Sequence, residues 1–276
     1  MGDPHIAYGE PGAPCVEYSP LGHAIIQDEL PKISQHYPSV EVWKVCIMPD
    51  HIHLIIHVNG GIEKGQHIGK VIAGFKAGCS HAWWKISPES KNQSLFEQGY
   101  NDRILHKENQ FENWKQYLDD NPRRLLLKRE NPGLFTVMHN IDIAGDQCQA
   151  VGNMFLLNIP QKEAVIVHRR YTDDEVMSLR KQWMACGKNG GVLVSAAIAP
   201  KEKEVLHEAF EKGYNIILLR EKGFPPLYKP SGRAFDSCSA GRLLQISPWE
   251  YSSRTTTITR EQCLHLNSIV TKIAED

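Results

Sequence analysis

The sequence predicts two folded units, an α+β unit followed by an α/β unit with a parallel sheet. Its 276 residues are enough for two ordinary domains. The turn-forming run Asn131-Pro132-Gly133 offers a natural boundary between them. Before this run, helical patterns alternate with mixed strands, whereas after it, continuous apolar strands alternate with helices. We therefore place one domain at residues 1–133 and the other at residues 134–276.

The first unit is predicted to be a small sheet covered by helices on one face. Apolar residues at helical spacing predict its helices, and a crowd of β-branched and apolar residues predicts its long strand. The last helix should end or kink at Asn121-Pro122, because the residue before a proline avoids the helical conformation. The predicted elements are helix 20–37, strand 42–58, helix 66–85, a short strand 95–104 and helix 109–120.

The second unit is predicted to be a doubly wound α/β domain. Its strands are nearly continuous in apolar residues, which is typical of parallel strands buried on both faces. Pro200 suits the start of a helix and Gly213 its end. The turn at 195–201 could offer backbone N–H groups to an anion, although an ordinary turn also explains the pattern. The predicted elements are strand 163–169, helix 172–184, strand 190–198, helix 201–212, strand 215–219, a loop around 224–232, strand 241–246 and helix 260–273.

The charge of the chain excludes a generic, strongly basic nucleic-acid-binding protein. The net charge is −1. Up to Gly133 there are 14 Lys and Arg residues against 16 Asp and Glu residues, and after it 17 against 16. A contact with DNA must therefore come from local patches. Nine of the thirteen histidines precede Gly133, which favours a site in the first unit.

The cysteines and the apolar segments predict a compartment. The seven cysteines are widely spaced, odd in number and without a Cys-x-x-Cys pair, so we expect reduced and mostly buried thiols. The first residues lack the basic and apolar regions of a signal peptide. No apolar stretch is long enough to span a membrane. These features predict a cytoplasmic protein with no membrane partner.

Two histidines in the apolar run Val45–His57 are the clearest candidates for chemistry. If the run is a single strand, His51 and His53 leave from the same face, one pleat apart. Two imidazoles side by side make half of a divalent metal site. The alternative interpretation is a polar face in contact with solvent.

A third ligand and a nucleophile are available on the helix predicted at 109–120. Tyr117 and Asn121 stand four residues apart and so lie on one helix face, a turn apart. The amide oxygen of Asn121 could complete a His-His-Asn site, which would place the Tyr117 hydroxyl beside the metal-bound group. A phenol can act as a covalent nucleophile towards phosphate esters once its deprotonation is assisted.

Three motifs resemble, in order, those of the REP-associated tyrosine transposases, a group of single-tyrosine HUH transposases. Met48–Leu54 resembles their Met-Pro-Asn-His-x-His-Leu run, Phe96–Leu105 their Trp-Gln-x-x-Tyr-x-Asp-x-x-Ile segment, and Tyr117–Pro122 their Tyr-Ile-x-x-Asn-Pro helix end. The resemblance covers residues 21–129. It implies a ferredoxin-like HUH sheet with helices on one face. It also implies a single-stranded DNA transposase, a nicking and joining endonuclease of DNA recombination in a bacterial-type cytoplasm.

Residue by residue, the resemblance implies His51, His53 and Asn121 as metal ligands and Tyr117 as the catalytic nucleophile. Tyr117 would attack a DNA phosphodiester, form a 5′-phosphotyrosine link and free a 3′-hydroxyl. Mg²⁺ or Mn²⁺ is the expected ion, although two imidazoles also suit zinc. Asp50 replaces the usual Asn before the first histidine, and either orients His51 or is only a turn residue.

Single-stranded DNA, often a hairpin, is the partner that the resemblance implies. Stacking on Trp83 and Trp84 and backbone contacts by basic residues would hold it. The alternative is a buried aromatic stripe with a solvated basic face. Some relatives act as monomers and others build composite sites across a homodimer, and both states stay open here. The candidate DNA-binding residues are Lys70, Lys76, Lys85, Arg123, Arg124 and Lys128.

Departures from the family pattern leave other functions open. The family has an apolar strand before the first helix, whereas here residues 5–8 and 15–18 are separated by prolines and glycines, so the start is truncated or the sheet has lost a strand. The alternative function is therefore a domesticated, catalytically reduced DNA-binding or regulatory protein. An unrelated hydrolase that uses the histidine pair is a third. Tyr100 competes as nucleophile, but Ile104, four residues on, cannot bind metal, so we interpret Tyr100 as a packed aromatic.

The second unit resembles, more distantly, the Rossmann-like core of DNA-processing protein A. The runs that carry this resemblance are Gly190–Lys203, Gly213–Leu219 and Gly241–Trp249, and no Gly-x-Gly-x-x-Gly motif accompanies them. The resemblance implies an accessory Rossmann-like domain whose partner is nucleic acid, a nucleotide or another protein.

Overall fold

The structure, a computed structural model, describes residues 1–5, 15–62, 65–253 and 257–276. It contains two compact units, Met1–Leu127 and Lys128–Asp276. Each unit is described by itself. The roles assigned to residues 1–133 and 134–276 as domains stay predictions. No helix within the described ranges is long and apolar enough to cross a membrane.

The first unit holds four short strands and four helices in its described parts. Its helical segment after residue 19 is continuous, but the middle of it is a π-helical turn. The elements are β1 Gly2–His5, β2 Cys15–Tyr18, α1 Pro20–Ala24, the π-helical turn Ile25–Glu29, α2 Leu30–His36, β3 Val40–Ile47, β4 Ile52–Val58, α3 Ile68–Ile86, a 3₁₀ turn Pro88–Ser90 and α4 Glu108–Glu130, which begins in this unit.

The single strand predicted at 42–58 is wrong, because the structure forms an antiparallel hairpin of β3 and β4 there. The chain turns at Pro49-Asp50, and the Met48 N–H donates to the His51 carbonyl across the turn (2.9 Å). Proline followed by aspartate is a turn signal that the apolar surroundings obscured. His51 therefore lies in the turn, and His53 lies in β4.

The two faces of this hairpin have different neighbours. Val45, Ile47, Ile52 and Leu54 belong to the inner face, which packs against α1, α2 and α3 in one apolar core. The outer face bears Cys46, Ile55 and their neighbours, which pack against Leu118 and other apolar residues of α4. Helices therefore cover both faces of the hairpin, whereas the sequence predicted a sheet covered on one face.

One extra residue in β3 makes a β-bulge. Val42 pairs with Ile56 and Lys44 with Ile55, so Trp43 has no partner residue of its own in β4. In such a bulge, two residues of one strand oppose one residue of the other, and the extra side chain is re-aimed. Trp43 accordingly contacts Phe111 of α4, on the outer face.

Helix α4 continues past Asn121-Pro122, where it was predicted to end or kink, so the predicted end is wrong. Pro122 lies inside it, although proline removes one helical hydrogen bond. Leu118 and Leu125, before and after the proline, both pack against the hairpin core, so tertiary packing offsets the local preference. The strand predicted at 95–104 is also wrong, because these residues form no regular element.

The start of the chain forms a small sheet of its own. Strands β1 and β2 pair antiparallel from Gly2 with Tyr18 to His5 with Cys15. The Gly2 N–H also donates to the Met48 carbonyl at the end of β3 (3.3 Å). Most of the strand considered at 5–8 lies outside the described residues. A ferredoxin-like sheet stays a prediction.

The second unit is built on a six-stranded sheet in the order β5-β6-β10-β9-β8-β7. The strands β7 to β10 pair parallel, and β6 and β5 join them antiparallel. The elements are a 3₁₀ turn Pro132–Phe135, β5 Met138–Ile143, β6 Asp146–Gly152, a 3₁₀ turn Met154–Asn158, β7 Lys162–Ala164, α5 Asp173–Lys188, β8 Val192–Ser195, α6 Pro200–Glu211, β9 Asn215–Leu219, α7 Arg233–Ser239, β10 Leu243–Ser247 and α8 Arg260–Glu275.

Both faces of this sheet are buried. Alternate residues of the strands, Val194 and Ile217 among them, share an apolar core with α8. Leu193 and Ile216, at the intervening positions, are fully buried, and α5, α6 and α7 contact strands β7 to β10. The mainly parallel sheet predicted from the apolar strands is confirmed, and the finer Rossmann-like assignment stays a prediction.

The hairpin β5–β6 and helix α7 of this unit were not predicted from the sequence. The hairpin β5–β6 turns at Ala144 and Gly145, both with positive φ (57° and 82°), as a two-residue hairpin turn requires. Ala is an uncommon residue in that position, so the usual Asn-Gly or Asp-Gly signal is absent. Helix α7, Arg233–Ser239, follows a stretch that we predicted only as a loop.

The turn between β8 and α6 is closed by side chains of the unit itself. The Glu202 carboxylate, 2% exposed, accepts from the N–H groups of Val167 (2.8 Å), Ile198 (2.7 Å) and Ala199 (3.1 Å). The Ser195 hydroxyl accepts from the Ala197 N–H (3.1 Å). These N–H groups are thus already paired, so the anion-binding interpretation of the turn is wrong for them.

Replacing Glu202 by Ala should destabilise the protein strongly. The change leaves three backbone donors without an acceptor, and each buried unpaired donor costs about 1–3 kcal/mol, so we expect a loss of roughly 3 kcal/mol or more. Urea unfolding of the full chain, followed by circular dichroism, measures this loss. Glu204→Ala, on an exposed position of the same helix, should stay within about 0.5 kcal/mol of the parent protein. Equal stability of the two variants would contradict the role of Glu202.

Candidate active site

The hairpin brings the two predicted histidines together. The ring centroids of His51 and His53 lie 4.8 Å apart, nearly perpendicular to each other. The Nδ1 atom of His51 lies 2.7 Å from Oδ1 of Asp50. This bond lowers the pKa of the Asp50 carboxyl. It also leaves Nε2 of His51 as the nitrogen that can bind another group, because a ligating histidine often has its other nitrogen held by a carboxylate.

His53 is held in its neutral form. Burial lowers the pKa of the His53 imidazole, and the neighbouring His51 lowers it further. A neutral imidazole has a free lone pair on one nitrogen, which is the form that binds metal ions. The outer face of the hairpin thus supplies one half-buried, uncharged imidazole and one exposed, oriented imidazole.

Helix α4 places the predicted tyrosine beside the pair. The ring of Tyr117 lies 6.0 Å from the ring of His53, edge to face, and 5.3 Å from the ring of Trp114 on its own helix. Tyr117 is 38% exposed, so its hydroxyl remains accessible to a large substrate.

Asn121 lies one helical turn beyond Tyr117 and is only 8% exposed. Its side chain reaches Cys46, which pairs directly with His53 across the hairpin. Burial raises the pKa of the Cys46 thiol, and the Asn121 amide opposes that rise. The Nδ2 atom of Asn121 has no hydrogen-bond partner although it is buried. The unpaired atom is a donor and cannot bind a cation, so Asn121 can serve as a metal ligand only through its amide oxygen.

The composition of this cluster explains which third ligand it can use. In the described residues, no three His, Cys, Asp or Glu side chains are placed to hold one metal ion. A site built on His51 and His53 must therefore take its third protein ligand from another residue type. Asn121 offers an amide oxygen, and rotation of the amide group by half a turn exchanges its oxygen and nitrogen positions.

The basic residues predicted on and after α4 have different surroundings. The Arg124 guanidinium lies 5.8 Å from the centre of the Tyr117 ring and 3.9 Å from an Asp120 oxygen. Arg123 makes a two-pronged contact with Asp120 (2.5 and 2.9 Å). Lys128 belongs to the second unit, where its ammonium lies 5.5 Å from the Phe235 ring. Arg124 is thus the member of this group that the structure places against the candidate nucleophile.

The other predicted DNA contacts lie on α3, which packs against the inner face of the hairpin. The structure therefore does not bring them to the histidine pair. Lys70 donates to the Gly65 carbonyl (3.0 Å), and Lys76 to the Glu97 and Gly99 carbonyls (2.5 and 2.7 Å). Lys85 is exposed. Trp83 packs in the inner core, and Trp84 donates to the Gln93 carbonyl (3.1 Å).

Tyr100 is an exposed aromatic beside α3, so its interpretation as a packed residue is wrong. Its hydroxyl lies close to Gly69 in the first turn of α3. It borders a groove of about 470 Å³ between α3 and residues 94–100. The ring is 46% exposed, so it is less buried than a core residue.

An aromatic group on the outer face of the hairpin was not predicted from the sequence. Trp43 stacks on His57 with ring centroids 4.1 Å apart and meets Phe111 edge to face at 5.2 Å. The sequence signal for the bulge is the spacing of the valines. Val40 and Val42 alternate, which puts Trp43 on the opposite face, and Val45 breaks the alternation.

A segment of the first unit is similar to transposases. Residues 26–121 match the family model described as "Transposase IS200 like". The match confirms the resemblance to single-tyrosine transposases, and it includes all four of His51, His53, Tyr117 and Asn121. No curated protein matches the chain.

Two solved structures of DNA processing protein A show some similarity to the chain. One, from Helicobacter pylori, was described for its single-stranded DNA binding mode; it has 21% identity, a TM-score of 0.36, and coverage of 50% of this chain and 65% of that chain. The other, from Streptococcus pneumoniae, has 14% identity, a TM-score of 0.36, and coverage of 76% and 65%. The chain thus spans about two thirds of the length of these two structures. Both are DNA processing protein A, which the second unit resembles by sequence.

The decrease of the free energy of unfolding at acidic pH should include a contribution from His53. Its folded-state pKa lies below the ordinary value, so between the two values the unfolded chain binds more protons and stability falls as pH falls. The contribution is complete above the unfolded pKa of about 6.5 and is lost below it. In an NMR titration of the imidazole protons, His53 should titrate below the ordinary histidine range. His51→Gln should raise its pKa only partly, because burial remains; an unchanged or fully normal pKa would contradict this assignment.

Proposed function

We propose that this protein is a divalent-metal-dependent single-stranded DNA transposase, a nicking and joining enzyme with Tyr117 as nucleophile. One observation carries the proposal. A half-exposed tyrosine lies 6.0 Å from His53, and His51 lies 4.8 Å from His53. A buried amide with an unpaired atom, Asn121, stands one helical turn away. The match to IS200-like transposases over 26–121 supports the same proposal.

Single-stranded DNA is the substrate class that we propose. The matching family model describes IS200-like transposases, and one structural neighbour was described for how it binds single-stranded DNA. The net charge of −1 does not provide general attraction for nucleic acid. Contacts must therefore be local, and Arg124 beside the candidate nucleophile is the best placed of the predicted basic residues.

The proposed reaction transfers a phosphoryl link from sugar to tyrosine. The Tyr117 oxygen attacks the scissile phosphorus, the bond from phosphorus to the 3′-oxygen breaks, and the 5′-phosphate remains on Tyr117. The proton lost by the phenol balances the proton gained by the departing 3′-hydroxyl. Arg124, above the tyrosine ring, provides positive charge where the phenol and the phosphate carry negative charge. Attack by a free 3′-hydroxyl on the phosphotyrosine reverses the step and joins strands.

A bound Mg²⁺ or Mn²⁺ would polarise the scissile phosphate and orient it. His51, His53 and Asn121 are the residues that would hold it, and their donor set fits. Both imidazoles present a nitrogen, and the amide is buried and incompletely paired. Asp50 would keep His51 oriented through its 2.7 Å contact.

The family match does not favour the alternative of a domesticated, catalytically reduced protein. All four residues of the proposed site lie in the matched segment, and the hairpin and α4 bring them together. The second unit is proposed as an accessory domain, whose partner is nucleic acid, a nucleotide or a protein.

Tyr117→Phe should abolish covalent attachment to DNA. The assay incubates the full chain with a 3′-labelled single-stranded hairpin oligonucleotide and Mn²⁺ and looks for labelled protein on a denaturing gel. We expect adduct formation to fall by at least about 10³-fold, because the phenol oxygen that attacks phosphorus in the proposed reaction is lost. Tyr100→Phe is the matched control and should form the adduct normally. An adduct that persists in Tyr117→Phe would refute the assigned nucleophile.

Metal binding should depend on the histidine pair and on Asn121. Titration of the full chain with Mn²⁺, with the free ion followed by electron paramagnetic resonance, should show at least tenfold weaker binding for His53→Ala and for Asn121→Ala. Asp50→Ala should weaken binding about tenfold, because the group that orients a ligand is lost. His81→Ala, at an exposed position of α3, is the control. Undiminished binding by all three site variants would place the metal elsewhere.

A further inference from the structure

We propose that Trp43, stacked on His57, is a platform on which one unpaired base of the DNA strand stacks. The inference rests on the proposed function and adds a binding subsite to it. It concerns the outer face of the β3–β4 hairpin, at the end opposite the Asp50 turn.

The indole of Trp43 is held in place but remains open. His57 supports one ring face (4.1 Å, 20° between planes), and Phe111 supports an edge. The indole N–H donates to a Glu41 carboxylate oxygen (2.9 Å). Even so, Trp43 is 48% exposed, which leaves ring surface in contact with solvent. A large aromatic ring that is fixed by three neighbours loses little conformational entropy when a ligand stacks on it.

The bulge decides which side chains of β3 face outward near Trp43. Alternation from the inward-facing Val42 turns Trp43 to the outer face. The bulge lets Lys44 face outward as well, on the face of His53 and Cys46, before Val45 returns to the inner face. Packing alone would not require a half-exposed tryptophan there, since the core below is complete on both faces of the hairpin.

The distance from the platform to the candidate nucleophile suits a strand of DNA. His57 follows His53 by four residues of β4, or about 13 Å at 3.3 Å per residue. A single strand spans that length in a few nucleotides, since each advances about 3.4 Å in B-form and more when extended. A base near the scissile phosphate could thus rest on Trp43 while Tyr117 faces that phosphate.

The charges around the platform are mixed, because two lysines lie near it, each beside a carboxylate, and Glu41 accepts from the indole N–H. Lys115 stands one helical turn after Phe111 on α4, and its side chain is 47% exposed. Lys44, beside Trp43, is held by Asp119 of the same helix. The combination of a stacking ring with nearby cations is the usual arrangement for sequence-tolerant binding of single strands.

The test combines variants of the protein with single abasic positions in the DNA. A set of single-stranded oligonucleotides, each lacking one base near the cleavage position, is bound to the full chain and followed by fluorescence anisotropy. For the parent protein, one position should lose about tenfold in affinity when its base is removed. In Trp43→Ala that position should show no further loss, and in Trp43→Phe an intermediate one. Phe155→Ala, an aromatic 78% exposed in the second unit, is the control and should behave as the parent.

The outcomes separate this inference from the proposed function. If the parent protein binds the strand and forms the Tyr117 adduct, but no position depends on Trp43, the platform is refuted and the function stands. If the parent protein neither binds single-stranded DNA nor forms an adduct, both are refuted. Thermal melting checks that each Trp43 variant folds; if Trp43→Ala does not, the comparison of Trp43→Phe with the parent decides the question.

Discussion

The packing of α4 on the outer face of the β3–β4 hairpin is the contact on which the candidate site depends. Leu118 is buried to 3% exposure against Cys46 and Ile55, and full burial of a leucine contributes roughly 1.5–3 kcal/mol. An ion pair between Lys44 and Asp119 fixes the same interface beside it. Because Tyr117 and Asn121 stand on either side of this anchor along the helix, any rotation that moved them from the histidines would also expose Leu118.

Side chains of the hairpin alternate between two faces, so one face packs in the apolar core and the other carries the candidate site. Its inner residues complete an apolar core with α1 to α3, so the backbone of β4 is held firmly from below. Its outer residues are then free to be polar, and His53 can be half-buried without being part of that core. Chemistry placed on such a rigid element keeps its geometry better than chemistry placed on a loop. The exposed His51 is the exception, and Asp50 compensates for its position in the turn.

Sequence patterns predicted most of the second unit and the membership of the site, but not how the site is assembled. Apolar strands such as 215–219 can be read directly, since burial on both faces leaves an unbroken pattern. Helical spacing put Tyr117 and Asn121 on one face, and the family resemblance gave them their roles. The β3–β4 turn was not predicted because an apolar run hid its Pro-Asp signal. The passage of α4 through Pro122 and the bulge at Trp43 were not predicted because tertiary packing and one extra residue override local rules. The closed turn at Glu202 shows the same limit in one of its bonds, since Val167, which donates to Glu202, lies 35 residues away in sequence.

The bulge at Trp43 has a consequence for comparing this protein with its relatives. One residue inserted in a strand normally reverses every side chain beyond it, but here the bulge in β3 accommodates the insertion and both flanks keep their faces. A relative without that residue would retain the same core and the same histidines, and would lack only the exposed indole. The proposed base platform would therefore be gained or lost during divergence by a one-codon event that leaves the fold and the candidate site residues untouched.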